Sequence, residues 1–362
     1  MSRTAYSCRI LIFTLLVPCI SAGQDQGAVR DWIESLLPKS QMALDAEFSS
    51  LSPRLTAELK RAGLVSRIEI SRPAEDPGKL AVIVGVEVPC GYDDAAYIYD
   101  YGRDQPQLVL ESHGSRGHGE SLSGIRFSRS DALGRQLILT LRYGVQCASS
   151  WNRLSYDLFR LSTVSTAVPI LSGDHAIWFG ADEPYQVRLE PDELLMEIRD
   201  RSIDAGIHNR AHILHYDTAR TPVERIDPVA LQPQDFVDEW LTRPWQEMES
   251  RSDEGKRGSL EKWHEFLGSR FVGGDFTIVQ ACREKSDEWQ IGVDLNWING
   301  KELPISLKVY FLIEQSGLYR FKMIDIAFER QEGCAGAARP MEESPSLFPS
   351  RGQSPRMPGS AK

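Results

Sequence analysis

Between residues 66 and 230, apolar and polar positions alternate in short runs, and the series repeats. Three segments line up at a spacing of 57 to 60 residues: Asp94–Ser112 (DAAYIYDYGRDQPQLVLES), Arg153–Gly173 (RLSYDLFRLSTVSTAVPILSG) and Arg210–Pro228 (RAHILHYDTARTPVERIDP). Each reads as a strand, a polar turn and a second short strand. Two more strands precede each segment. The first strands are Arg67–Arg72, Ile125–Arg129 and Tyr185–Leu189; the second are Leu80–Val88, Gln136–Tyr143 and Leu194–Arg199. β-Branched and aromatic runs bounded by Gly, Pro and Asp are strand signals. The pairs are joined by short polar connections, Ala74–Lys79, Ser130–Arg135 and Pro191–Glu193. The pattern predicts one unit of four antiparallel strands, copied three times in tandem.

Four-stranded meanders in tandem resemble the blades of a β-propeller in architecture. The chain carries neither a GH…WD nor a kelch signature, and three units are fewer than the usual four blades. Two arrangements stay open: a blade-like arc capped by the flanking segments, or a β-sandwich.

The period changes to the helical one on both sides of the repeats. Val29, Ile33, Leu36 and Leu37 predict a helix over Ala28–Leu37, stopped by Pro38. Ser52-Pro53 reads as the start of another helix and Gly63 as its stop. Beyond the proline-bounded linker Ile226–Asp235, Phe236, Val237, Trp240 and Leu241 share a helical face up to Pro244. Ser259 is expected to cap a second helix carrying Leu260, Trp263, Phe266 and Leu267. Four strands follow: Asp275–Ala281, Trp289–Leu295, Ile305–Ile313 and Leu318–Phe328. Asn299-Gly300 is a hairpin-type turn, and Gln315–Gly317 joins the last pair. This element order is loosely similar to cone-shaped NTF2-like domains. The fold class expected is mainly β with an α+β C-terminal domain. The division is a signal peptide over 1–22, a helical segment over 23–63, the repeat domain over 64–230, the α+β domain over 231–334 and a disordered tail over 335–362. The tail holds five prolines and no periodicity.

The first 22 residues read as an export signal. Arg3 and Arg9 precede the apolar run Ile10–Val17, Pro18 breaks it, and Ser21-Ala22-Gly23 offers small residues for cleavage. The run is too short to span a bilayer, which takes about 20 residues. An extracytoplasmic protein, periplasmic or secreted, with no membrane span after signal cleavage is therefore expected. Cleavage leaves 39 basic against 51 acidic residues, a formal charge of −12. An acidic chain without a basic run excludes nucleic acid as the expected partner, because phosphate neutralisation supplies most of that affinity. Four cysteines remain, Cys90, Cys147, Cys282 and Cys334, and an even count in an exported chain favours disulfides. Cys90 and Cys147 each end the second strand of successive units, so stacking would pair them. Cys282 and Cys334 bracket the last four strands and make the second expected pair.

Familiar catalytic motifs are absent: no GxSxG, HExxH, P-loop or GxGxxG, and no cofactor is expected. His113 and His118 flank glycines in a connector. His212 and His215 stand three apart on a strand and so face opposite sides. His264 sits between Trp263 and Phe266 on a helix and reads as a core-edge residue. Tyr97, Tyr99 and Tyr101 alternate along a strand and read as packing. The second-to-third-strand connections carry more information. Trp151-Asn152-Arg153 and His208-Asn209-Arg210 match in type at a spacing of 57. If the units repeat in space, these connections gather Tyr92, Asp93, Asp94, Trp151, Asn152, Arg153, Asp204, His208, Asn209 and Arg210 on one surface. Carboxylates, arginines and aromatics suit a polar-ligand or glycan site. The same arginines could instead clamp carboxylates of a neighbouring unit. No metal site is expected. The favoured reading is a non-enzymatic binding or interaction protein, with an unknown protein or polar ligand as partner. The alternative is a secreted hydrolase of a polar polymer such as a glycan, with Asp93, Asp94, Asp204 or His208 as acid/base groups. Such a hydrolase needs two carboxylates about 5 to 9.5 Å apart in a cleft.

Overall fold

The period-two alternation becomes a set of strands whose successive side chains turn to opposite faces of a sheet, and where layers lie on both sides both faces are buried. The computed structural model describes residues 26–89, 91–102, 105–114, 119–145, 151–161, 168–178, 185–200, 210–271, 276–283, 287–297, 305–330 and 346–348. Among them are four four-stranded antiparallel sheets and few helices, so the protein is mainly β. The first sheet is β1 (Arg67–Ser71), β2 (Lys79–Val88), β3 (Gly91–Asp100) and β4 (Gln107–His113). The second is β5 (Glu120–Phe127), β6 (Gln136–Val145), β7 (Trp151–Leu161) and β8 (Pro169–Trp178). The third is β9 (Tyr185–Leu189), β10 (Glu193–Asp200), β11 (Arg210–Asp217) and β12 (Glu224–Arg225). Each is a meander in chain order, so the three units share one topology, as the repeat predicts.

The sheets stack face to face in series, propeller-like and open. Leu80, Val82, Val84, Tyr97, Tyr99 and Tyr101 turn one face of the first sheet onto the N-terminal helices. Residues one position out of phase, Ala81, Ile98 and Leu110, meet Phe127, Ile138 and Phe159 of the second sheet. The second sheet's opposite face, with Leu137, Leu139, Leu141, Leu154 and Leu158, packs on Leu194, Met196, Ile198 and Leu214 of the third. A middle sheet buried on both faces is a three-layer stack, not a two-layer sandwich. Each fully buried aliphatic side chain contributes about 1.5–3 kcal/mol.

Two helices cover the first sheet: α1 (Gln26–Leu36) and α2 (Gln41–Arg61). The sequence places a helix start at Ser52-Pro53, and the structure corrects this. α2 begins after Ser40, whose side chain accepts a hydrogen bond from the Ala43 N–H, and it runs through Pro53. The buried stripe Leu44, Leu51, Leu55, Leu59 continues across the proline, so packing outweighs the local break. Gly63 does end the helix, at φ 69°. Gly63 N–H bonds to the Lys60 carbonyl and Leu64 N–H to that of Leu59, a Schellman closure.

The C-terminal part comprises α3 (Pro233–Thr242), α4 (Trp245–Met248), α5 (Arg257–Phe271) and the fourth sheet, β13 (Phe276–Arg283), β14 (Glu288–Trp297), β15 (Ile305–Gly317) and β16 (Arg320–Ala327). Phe236, Val237 and Trp240 from α3 and Leu260 and Leu267 from α5 fill its core against Ile291, Val293, Phe311 and Met323. Ser259 lies inside the first turn of α5 rather than capping it. β15 extends through Gln315–Gly317, so the final turn falls at Leu318-Tyr319. Within the tail expected to be disordered, residues 346–348 pack against the third sheet. Residues 1–22, Cys90, Cys147, Cys334, His118 and Asn299-Gly300 lie outside the described residues. Cys282 lies on β13, with its side chain outside them. Among the described residues no helix is long and apolar enough to cross a membrane.

Candidate functional site

Those of the residues singled out from the sequence that are described lie at strand starts rather than in loops. Tyr92, Asp93 and Asp94 open β3 and pair with Glu87, Val86 and Gly85. Trp151, Asn152 and Arg153 open β7, and Arg210 opens β11. Ladder pairing uses the backbone alone, so polar side chains do not stop a strand. Asp204, His208 and Asn209 lie outside the described residues.

The first trio ties the first sheet to the second. Gly119 N–H donates to Asp93 Oδ1 at 3.0 Å, and Tyr92 N–H to Ser121 Oγ at 3.3 Å. Leu122 N–H donates to Asp94 Oδ2 at 2.7 Å, and Arg67 lies 3.4 Å from the same oxygen. Burial pushes the Asp94 carboxyl up, against the pull of the Leu122 N–H, Arg67 and Arg142. Gly85 makes room for it, since a Cβ there would stand 2.2 Å from Asp94 Oδ1.

Arg153 belongs to a polar cleft of about 300 Å³ in the same seam. The second sheet's seam face is apolar where Ile138 pairs with Phe159. It turns polar along the same alternation: Thr140 opposite Asp157, Arg142 opposite Ser155, Gly144 opposite Arg153. His113, Glu120, Ser172 and Asp174 complete the walls. Arg153 and Asp174 form a half-exposed ion pair at 2.5 Å, and Ser172 Oγ donates to Asp157 Oδ1 at 2.6 Å. Gly173 admits the Tyr156 hydroxyl, which a Cβ would meet at 2.3 Å.

Arg142 forms the floor of the cleft. It is 2% exposed. Its Nη1 donates to the Asp94 carbonyl at 3.1 Å and its Nη2 to Ser112 Oγ at 2.7 Å, so the guanidinium spans the seam. Its Nε has no hydrogen-bond partner, and neither has Ser155 Oγ. Burial lowers the Arg142 pKa, opposed by Asp157, Glu120 and Asp94. A buried polar atom without a partner costs about 1–3 kcal/mol. The cleft thus sets the Arg153 guanidinium and the carboxylates of Glu120, Asp157 and Asp174 around one small polar space, above a buried floor holding Arg142 Nε and Ser155 Oγ. Sequence reasoning found Arg153 but missed its neighbours. The legible signal was a run of polar residues, Thr140, Arg142, Ser155 and Asp157, on a strand face whose other positions are core.

Two further polar regions differ in kind. A groove of about 610 Å³ between β1 and β5 is lined by Arg67, Arg72, Arg126, Glu69 and Glu75. There Arg67 pairs with Glu69 and Asp94, and Arg72 with Asp45. Second, Glu239 of α3, fully buried, is bonded by Arg225 at 2.6 Å, Arg243 at 3.2 Å and His212 at 3.1 Å. Burial pushes the Glu239 carboxyl up, but Arg225, the His212 hydrogen bond and Arg243 outweigh it and hold it well below the usual range. His215 faces the other way, towards Glu193 and the Asp227 carbonyl, as their spacing on the strand predicts. His264 is half-buried, its Nε2 2.8 Å from the Arg243 carbonyl and its ring edge-on to Trp240. Among the described residues no group of three His, Cys, Asp or Glu is placed to hold a metal ion.

No protein-family model matches this chain, and no curated protein matches it. Among solved structures it is similar to the GH93 α-L-arabinofuranosidase of Fusarium graminearum in complex with arabinobiose. That likeness has a TM-score of 0.28 at 8% identity, over 73% of this chain and 67% of that one. The α-L-arabinanase of Penicillium chrysogenum complexed with arabinobiose gives 0.24 at 10%, over 72% and 65%. The β-propeller domain of the Trilobed protease from Pyrococcus furiosus gives 0.17 at 10%, over 71% and 98%. These values transfer no residue and no activity to this chain.

Proposed function

We propose that this is an extracytoplasmic binding protein whose seam cleft takes a hydroxyl-rich ligand of the glycan class. The observation that carries the proposal is the polar lining of the cleft: the Arg153 guanidinium with the carboxylates of Glu120, Asp157 and Asp174, over a buried floor in which Arg142 Nε and Ser155 Oγ have no partner. A sugar hydroxyl both donates and accepts, so adjacent hydroxyls can serve the arginine N–H and a carboxylate together. The export signal supports action outside the cytoplasm. The four cysteines support two disulfides there, and the repeat over 64–230 remains the proposed ligand-bearing domain.

A second reading is hydrolysis of a glycan, and the three carboxylates in one cleft favour it. A general acid for that reaction needs a raised pKa at the cleft. Asp94, which burial raises, is instead held in the seam by Leu122 and Arg67 and does not line the cleft. Binding is the reading put to the test first, and the same experiment scores turnover.

The test is a thermal-shift and calorimetric titration of the mature protein with mono- and oligosaccharides, neutral, acidic and amino-bearing. A ligand at 100 times its Kd stabilises by about 2.7 kcal/mol. Asp157→Asn and Arg153→Ala should keep the melting temperature of the free protein and lose the shift. A shift that survives both variants, or no shift with any sugar, refutes the site. Release of reducing ends on prolonged incubation, abolished in Asp157→Asn, would replace binding by hydrolysis.

A further inference from the structure

We propose that the outer face of the third sheet is a peptide-docking surface, and that its occupant is the chain's own segment Ser346–Phe348. The alternation that turns Leu194, Met196 and Ile198 towards the second sheet turns Leu195, Glu197 and Arg199 the other way. In a tandem stack, this is the face on which a fourth unit would pack. The chain covers it differently. Leu231 of the linker, Tyr319 of the final hairpin, and Leu347 and Phe348 gather on Leu195, Ala211 and Ile213.

The contact has the anatomy of peptide recognition. Glu197 is 1% exposed. One of its oxygens accepts the Arg199 Nε at 2.6 Å. The other accepts the Ser346 hydroxyl at 3.1 Å and the Leu347 N–H at 2.8 Å. Ser346 Oγ in turn accepts the Phe348 N–H at 3.1 Å, folding the tripeptide around its own side chain. A buried carboxylate reading a backbone N–H and a hydroxyl, beside an apolar seat, selects a small hydroxyl residue followed by two apolar ones. Bonds to a charged acceptor are about twice as strong as neutral ones.

Tyr319 closes the turn between β15 and β16 beside this surface. Its φ of 58° is the left-handed conformation that the second position of this tight turn takes. Its ring belongs to the cluster that seats Leu347 and Phe348. The tripeptide lies 150 positions from Glu197 in sequence, with the C-terminal helices and the fourth sheet between them. As proposed, docking is reversible: a free segment of the same chemistry should compete for the surface.

Amide exchange at Leu347 in the full-length protein tests this. Exchange should be slowed by at least about tenfold, or about 1.4 kcal/mol, relative to a free peptide of residues 340–352, and independently of protein concentration. Ser346→Ala and Phe348→Ala alter only the occupant, and each should return exchange towards the peptide rate at an unchanged far-UV spectrum. Glu197→Gln should weaken protection in the same way. Excess 340–352 peptide should release the tail and accelerate exchange. Exchange as fast as in the peptide, or protection indifferent to Ser346→Ala and Phe348→Ala, overturns the docking. Protection that grows with concentration alongside dimer formation makes the occupant a second copy's tail and overturns the assignment in cis. Protection untouched by excess peptide makes the segment fixed core, and the surface is then no docking site.

Discussion

His175 on β8 lies against His212 of β11 with ring centroids 4.1 Å apart, next to the Glu239 carboxylate that Arg225 and Arg243 clamp. Burial is the first cause that lowers the His175 pKa well below its ordinary value, and His212, Arg243 and Arg225 lower it further against the pull of Glu239. The sign of its effect follows from linkage. A base with a depressed folded pKa is neutral in the fold while the unfolded chain takes up a proton near pH 6.5. Its contribution is therefore complete above about pH 6.5 and is lost as pH falls below that, at up to about 1.4 kcal/mol per unit. His212 faces Asp238 as well as Glu239, so the informative quantity is a difference. Between pH 7.5 and 5.5, unfolding free energy from urea titrations should fall more steeply in the wild type than in His175→Gln. Parallel profiles would mean that His175 does not titrate on unfolding in this window.

α2 shows at the level of an element how far local signals reach. Its end was legible, because Gly63 alone tolerates the left-handed turn that closes the helix. Its start was not. Ser52-Pro53 carries a strong start signal, yet the leucine stripe from Leu44 to Leu59 buries four side chains and carries the helix across. The proline remains a local defect: it removes one backbone hydrogen bond and crowds the preceding turn. Pro53 is exposed, so Pro53→Ala should raise stability by about 2 kcal/mol after the entropy gained by the unfolded chain is deducted. A melting temperature that falls would show the helix to be broken at residue 53. The strands behave alike. Alternation located them, but their starts at Tyr92 and Trp151 read as loops because polar side chains there masked a backbone ladder that continues. The cleft was hidden for the same reason. Arg142 and Ser155 are unremarkable in sequence until β6 and β7 pair and set them side by side on the face that meets the first sheet.

The repeat made the number and topology of the units legible across the whole molecule, but not their order of packing, because alternation says that a strand has two faces and not what covers each. The structure answers with a series: helices, first sheet, second sheet, third sheet, then the linker and tail. In such a stack each unit meets only its neighbours, so stability is close to a sum of unit and interface contributions. Ile138 and Leu139 put this to a direct test. They are consecutive, both fully buried, and belong to different cores: Ile138 to the seam with the first sheet, Leu139 to the seam with the third. Adjacent side chains of a strand point to opposite faces, so the two share a backbone but no apolar cluster. Ile138→Val should cost about 0.5–1.5 kcal/mol and Leu139→Ala about 2–5 kcal/mol. If the seams are independent, the double variant should match the sum of the singles to within about 0.5 kcal/mol. A coupling well above that, measured by urea unfolding of all four proteins, would show that the second sheet transmits a loss on one face to the other. The cleft at the first seam would then feel changes made at the second, and Leu139→Ala should weaken ligand binding there; with independent seams it should leave binding unchanged.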